Sequence, residues 1–296
     1  MTKQDYHAYC LNTPDLPLFM QDWWMDAVCV GKQWEVIAGM PCLVRERVGL
    51  RFVVMPQQTQ IGGRWGQADA AGIAEALQAK HLDYYYQHFP IGSPLPEELE
   101  KLGFTIRRHT TYRIEDLRDL EAVRRRYSEN KRRQIKKASA LELVHVEPER
   151  FYRFHAECLR AQGKQIAYSE VFFRSLDAAC QAHEAREILG LQDADGTLHA
   201  AVFLVYDPHT CYFLIPCYAP QYGASGAGAR IVDEAVRFAA EHSEAFDFEG
   251  SMIPGVANHY AQFGSEPAYF YEVERVYNPL FRIVLSAYHL LTHKKR

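Results

Sequence analysis

Between Cys211 and Tyr271 the chain changes its hydrophobic period several times. CYFLIPCY (211–218) is a continuous apolar and aromatic run, the length of a buried strand. Pro220 ends it, and Gly223-Ala224-Ser225-Gly226-Ala227-Gly228 follows. In ARIVDEAVRFAAEH, Ile231, Ala235, Phe238 and Ala239 then recur at helical spacing. AFDFEGS alternates with period two: Phe246 and Phe248 on one face, Asp247, Glu249 and Ser251 on the other. The order predicts strand, glycine turn, helix, strand, turn, short helix, strand. A glycine turn entering a helix leaves backbone N–H groups at the positive end of the helix dipole, an anion site; the same turn also serves merely to reverse the chain. Carboxylates on the next strand make the first use one of group transfer from a phosphate-bearing donor.

Patterns elsewhere predict a mixed α/β chain. QWEVIAGMPCLVRERVGLRFVVMP reads as three strands with a turn at Gly49, AAGIAEALQAKH as a helix, LDYYYQHFP as a strand, LPEELEKLGF as a short helix stopped at Gly103, and TIRRHTTYRIED as a strand leading out. LEAVRRRYSENKRRQIKKAS reads as one basic helix. After it come the strand ELVHVEP, two amphipathic helices, the first stopped by Gly163, and a hairpin turned at Asp195-Gly196. The boundaries so drawn are 1–115, 116–277 and a C-terminal amphipathic helix, 278–296.

Composition narrows the classes. A chain of 296 residues with 48% hydrophobic content can bury a core, and a net charge of −4 does not suit a DNA-binding surface. Seven cysteines without a C-x-x-C pair read as reduced thiols, and the 13 histidines show no H-E-x-x-H spacing, so no metal is expected. The N-terminus lacks a signal-peptide run and no segment reaches the length of a membrane span, which together predict a cytoplasmic protein.

Four segments carry a family resemblance. GASGAGARIVDEAVRF, FDFEGSMIPGVANHYAQFGSEPAYFYEV, the basic SENKRRQIKKA, and WWMDA with VVMPQQTQIGGRWG together resemble the FemAB family of GNAT-fold acyltransferases, in its compact bacterial form. The resemblance implies a mixed α+β sheet in two tandem GNAT-like units, the N-terminal one shorter. It implies an N-acyltransferase moving an acyl group from acyl-CoA to an amine, either a small molecule or a cell-envelope precursor. The acetyl-CoA motif of ordinary relatives has Gln or Arg where Gly223 stands. Two alternatives therefore stay open: an aminoacyl-tRNA-dependent transferase acting on a cell-wall precursor, less favoured because no long charged helical hairpin is inserted, and a non-catalytic binding protein on a degenerate acyltransferase fold.

The residues divide by role. Glu249 is the candidate base for an attacking amine, its carboxyl raised by the flanking phenylalanines, with pairing to an arginine as the structural alternative. Asp247 is its orienting partner. The resemblance places Tyr260 as the acid for the leaving thiolate, and His259 is a proton carrier or a packing residue. Gly223, Ala224, Ser225, Gly226, Ala227 and Gly228 form the donor turn. Arg132 and Lys136, four apart on one helical face, form an electropositive wall or a solvated surface. Trp65 lines an acceptor pocket where the units meet or anchors the core. The tail NPLFRIVLSAYHLLTHKKR docks on the body, forms a homodimer contact, or touches an anionic membrane surface.

Overall fold

The computed structural model describes residues 1–66, 68–250 and 254–282. In chain order the elements are α1 (Lys3–Leu11), α2 (Asp22–Val28), β1 (Gln33–Ile37), β2 (Met40–Arg47), β3 (Leu50–Val54), α3 (Ala70–Ala79), β4 (Tyr84–Phe89), α4 (Leu95–Lys101) and β5 (Thr105–Ile114). Then follow α5 (Leu120–Arg125), α6 (Glu129–Lys137), β6 (Glu142–His145), α7 (Pro148–Ala161), α8 (Glu170–Ala182), β7 (Arg186–Gln192) and β8 (Leu198–Tyr206). The last are β9 (Thr210–Tyr218), α9 (Ala227–His242), β10 (Ala245–Asp247), α10 (Pro254–Ala261) and β11 (Glu266–Val276). This is the mixed α/β architecture expected.

Two compact units are present: residues 1–109 with 269–296, and residues 110–268. Strands β5 and β11 each begin in one unit and end in the other. Residues 283–296, most of the C-terminal helix expected from 278 onward, lie outside the described residues, as does Ser251.

In the first unit the strand order is β1-β2-β3-β4-β11, with β5 beyond β11. Strands β3 and β4 are parallel, with Phe52 opposite Tyr84, and α3 connects them. Asp69 caps α3 by accepting from the Ala71 and Gly72 N–H groups at 3.0 Å. Helix α3 buries Ile73 and Leu77 in a cluster with Val53, Tyr85 and Phe89. The alternating strand LDYYYQHFP thus faces one side with Tyr85 and Phe89 and the other with Tyr86 and His88.

In the second unit the order is β5-β10-β9-β8-β7-β6, all antiparallel except β10 with β9. Helix α9 is the crossover between that parallel pair. Its apolar stripe, Ile231, Val232, Ala235, Val236 and Ala239, is fully buried in a cluster with Val202, Leu204, Phe213 and Phe246.

Two expectations need correction. The basic segment is two helices, because Tyr127 is buried and Ser128 starts a new helix. The Ser128 hydroxyl accepts from the Lys131 N–H at 3.2 Å, and its own N–H donates to the Gln262 carbonyl at 2.8 Å. Strand β10 stops at Asp247 rather than running through Glu249, and both faces are buried: Phe246, Asp247 and Phe248 are at most 1% exposed.

Phe246 sits 4.9 Å from Phe248 and 5.8 Å from Phe213, ring centre to ring centre. Phe246→Ala is expected to cost about 3–5 kcal/mol in urea unfolding, the range for deleting a buried aromatic. Gly226 has φ +83°, and a Cβ there would lie 2.2 Å from the Gln134 carbonyl oxygen. Gly226→Ala is expected to lower stability by about 1–3 kcal/mol from the left-handed backbone alone, before the contact with α6 is counted; an unchanged urea midpoint would refute that packing.

Candidate active site

Asp247 decides where β10 ends. Its carboxylate accepts from the Thr111 hydroxyl, from Arg113 Nη1 at 3.1 Å, and from the backbone N–H of Glu249 at 2.8 Å. The last bond curls the chain back within two residues, an Asx turn that competes with the strand ladder. Phe248 N–H still donates to the Tyr112 carbonyl at 2.9 Å, but Glu249 turns to φ +62°. Gly250 follows at φ +68°, where a Cβ would lie 2.5 Å from the Thr110 carbonyl oxygen, so only glycine fits. Burial pushes the Asp247 carboxyl up, while Arg113 and Thr111 oppose that. This carboxylate is saturated with partners and positions Glu249.

Glu249 is different. As a residue it is half-buried, yet its Oε1 is buried with no hydrogen-bond partner among the described residues. Burial first, and the Asp247 charge second, hold its carboxyl well above the ordinary carboxylate range. A carboxyl group whose buried oxygen lacks a donor and whose charge is disfavoured takes up a proton readily. The alternative pairing with an arginine does not occur among the described residues.

Tyr260, on α10, stacks on Phe248 at 4.5 Å and is 8% exposed. Its hydroxyl is pushed up to about 12 by burial and then by the Glu249 charge. The fold therefore gathers Asp247, Glu249 and Tyr260 around Phe248.

Next to Tyr260 lies a residue the sequence reading passed over. Lys131 is 4% exposed, and its Nζ donates to His259 Nδ1 at 2.8 Å. Burial, reinforced by the Lys131 charge, pushes His259 down to about 4, so the ring is neutral at pH 7 and accepts this bond. Burial also lowers the Lys131 ammonium, and no carboxylate among the described residues pairs with it. Its signal was present in sequence: Lys131, Ile135 and Ala138 fall at i, i+4 and i+7, the inward stripe of α6. Arg132 and Lys136 are exposed on the outer side. Arg124 forks onto Asp233 at 2.8 and 2.9 Å and is structural.

The glycine turn opens as a 3-10 turn, Pro220–Ser225, followed by α9. Tyr222 stacks flat on His199 at 3.8 Å, and the Ser225 hydroxyl accepts from the Ala227 N–H at 3.2 Å. Arg230, one turn into α9, donates to the Ala138 carbonyl at 2.7 Å and fixes α6 against α9. Gly223 has no atom within 4 Å of a built Cβ, and at Gly228 only the Tyr218 ring comes near, at 3.5 Å. Gly226 is thus required by packing on Gln134, whereas no close contact demands glycine at 223 or 228.

Trp65 lies in the first unit. It is half-buried and lines a cavity of about 570 Å³ with Arg64, Pro90, Ile91, Leu95 and Glu98.

Comparison with known proteins agrees with this fold. The family model described as "Acetyltransferase (GNAT) domain" matches residues 106–260, more than half of the chain, including the glycine turn, Glu249 and Tyr260. No curated protein matches. Among solved structures, FemX is 11% identical with a TM-score of 0.69, covering 96% of this chain and 98% of that one. A conserved protein of unknown function from Bacteroides thetaiotaomicron VPI-5482 is 16% identical with a TM-score of 0.62, covering 93% and 97%. L-PGS from Bacillus licheniformis is 11% identical with a TM-score of 0.60, covering 99% and 97%. At such identities the likeness is one of fold. The chain belongs to the GNAT acetyltransferase domain family, has the FemX fold over nearly its whole length, and is an acyltransferase of that type.

Proposed function

We propose that the second unit moves an acyl group from acyl-CoA to an amine, with Glu249 as the base and Tyr260 as the acid. The observation that carries this reading is the buried, unpartnered Oε1 of Glu249 beside the saturated Asp247. The amine nitrogen attacks the thioester carbonyl, and Glu249 takes the proton the nitrogen loses. The carbon–sulfur bond breaks, and Tyr260 gives its proton to the departing sulfur. The donor's phosphates approach the start of α9 over Gly223 and Gly228, where added atoms meet little or nothing. The charge of Lys131 adds positive potential from inside α6.

A second reading takes aminoacyl-tRNA as donor. It is favoured by the exposed row Arg125, Arg126, Arg132, Arg133, Lys136 and Lys137 on α5, α6 and the turn between them. Titration with coenzyme A and with uncharged tRNA separates the two. Micromolar coenzyme A binding supports the first, and salt-sensitive binding of tRNA alone supports the second.

The sign of the pH dependence follows from the shifts. A raised Glu249 is protonated at low pH, so kcat/KM is expected to rise with pH along a limb placed above the ordinary carboxylate range. Tyr260, pushed up to about 12, keeps its proton throughout the neutral range and sets no alkaline limb there. Glu249→Gln is expected to lower kcat by about 10²–10⁴ and to abolish the acid limb. Because the folded-state pKa of Glu249 is raised, the group favours the fold while protonated and loses that contribution as pH rises through its folded value. Glu249→Gln is thus expected to raise the Tm at pH 8 relative to the parent and to change it little at pH 4. A Tm lowered equally at both pH values would show a structural carboxylate instead.

Gly223→Asp places a carboxylate where the donor's phosphates approach, at a position with room for it. Coenzyme A affinity is expected to fall at least about tenfold, a like-charge cost near 1.4 kcal/mol, while Gly223→Ala retains both affinity and stability. Equal affinity in a folded Gly223→Asp protein would move the donor elsewhere.

A further inference from the structure

Three adjacent strands of the first unit bring His88, Glu272 and His109 together. His88 on β4 is the direct cross-strand partner of Glu272 on β11, so their side chains share one face of the sheet. His109 comes from the first half of β5, the next strand. His109 Nε2 is 2.9 Å from Glu272 Oε2, and the His88 and His109 rings are 5.4 Å apart, both resting against Phe270. One nitrogen of each histidine and one carboxylate oxygen all lie within 4.8 Å of one another.

We propose that this cluster is a binding site for one divalent transition-metal cation of the zinc class, held by His88 Nε2, His109 Nε2 and Glu272 Oε2, with water completing the coordination. Two imidazoles and one carboxylate suit Zn²⁺ and its neighbours rather than Mg²⁺ or Ca²⁺. Zinc bonds of about 2.0–2.2 Å in a tetrahedron set ligand atoms about 3.3–3.5 Å apart, so shifts of an ångström or less close this set around an ion.

The surroundings prepare the ligands. His88 Nδ1–H donates to the Gln60 carbonyl at 2.8 Å, which fixes the tautomer that leaves Nε2 with its lone pair. That lone pair now accepts from the Tyr86 hydroxyl at 2.9 Å, and the same hydroxyl is 3.3 Å from Glu272 Oε2. When an ion takes the lone pair, the hydroxyl turns to Glu272 without losing a partner. Glu272 accepts hydrogen bonds from Arg107 on one oxygen and from His109 on the other. Arg107 pairs with both Glu272 and Glu274, so one guanidinium faces two carboxylates and a negative charge is left for the cation. Binding moves the His109 Nε2 proton to Nδ1 and involves no redox step.

The test is calorimetric titration of the chelator-dialysed 296-residue protein with Zn²⁺ alone, with Co²⁺ absorption as a second readout. The expected result is one saturable equivalent, a visible Co²⁺ band of a low-symmetry site, and a Zn²⁺-dependent rise in Tm. Glu272→Gln and His109→Ala are expected to weaken binding at least about 100-fold, and Tyr86→Phe about tenfold. His183→Ala, an exposed histidine elsewhere, leaves binding unchanged. No saturable equivalent and no Co²⁺ band in the parent protein would overturn the site, whatever the variants do. So would binding that survives in a folded Glu272→Gln, His109→Ala double variant. Acyl transfer is read separately, so failure here leaves the role of Glu249 untouched.

Discussion

The candidate active site depends on one buried carboxylate. Asp247 lies fully inside the protein, and such a charge is tolerable only when its lone pairs are filled. Thr111 and Arg113 from β5 fill two of them, and the third partner is the backbone N–H of Glu249. That requirement stops β10 and turns Glu249 and Gly250 into the left-handed region. Loss of Asp247 would leave half-buried Arg113 with only Glu115 and Thr210 and release the turn, so Asp247 acts on chemistry through position.

Much of this was legible in the chain. Helical period, glycine stops and the Asp195-Gly196 hairpin specify α3, α4, α7, α8, α9 and the β7–β8 pair, because each is a local pattern with one apolar face. Ser128 was legible in principle as a helix cap, but a run of arginines and lysines on both sides hid the break. The alternation in AFDFEGS carried the wrong burial: period two assigns residues to faces, and here neighbouring elements cover both. Glu249 was reachable because its segment is short and contiguous. Lys131 was legible only as a position on the inward stripe of α6, since the His259 and Phe263 it meets lie more than a hundred residues away. The same limit applies to His88, His109 and Glu272, whose proximity exists only through strand pairing and leaves no sequence spacing.

The glycines of the turn are not equivalent. Gly226 is demanded by backbone geometry and by the Gln134 carbonyl, so its presence says nothing of a ligand. Gly223 and Gly228 have no such demand, and what distinguishes them is the space beside them. A substitution at Gly226 therefore confounds folding with donor binding, whereas Gly223 separates the two.

The second unit holds two titratable groups of opposite sign, Lys131 and Glu249, whose charged forms find no counter-ion among the described residues. Lys131 has a neutral imidazole for a partner, and Glu249 has another carboxylate for a neighbour. Either would be more stable as an apolar residue of similar volume. Keeping such groups near the Phe248, Tyr260 and Phe263 rings costs folding energy. Groups held in this way are set before any reaction begins, which is the condition under which a protein interior can act on developing charge.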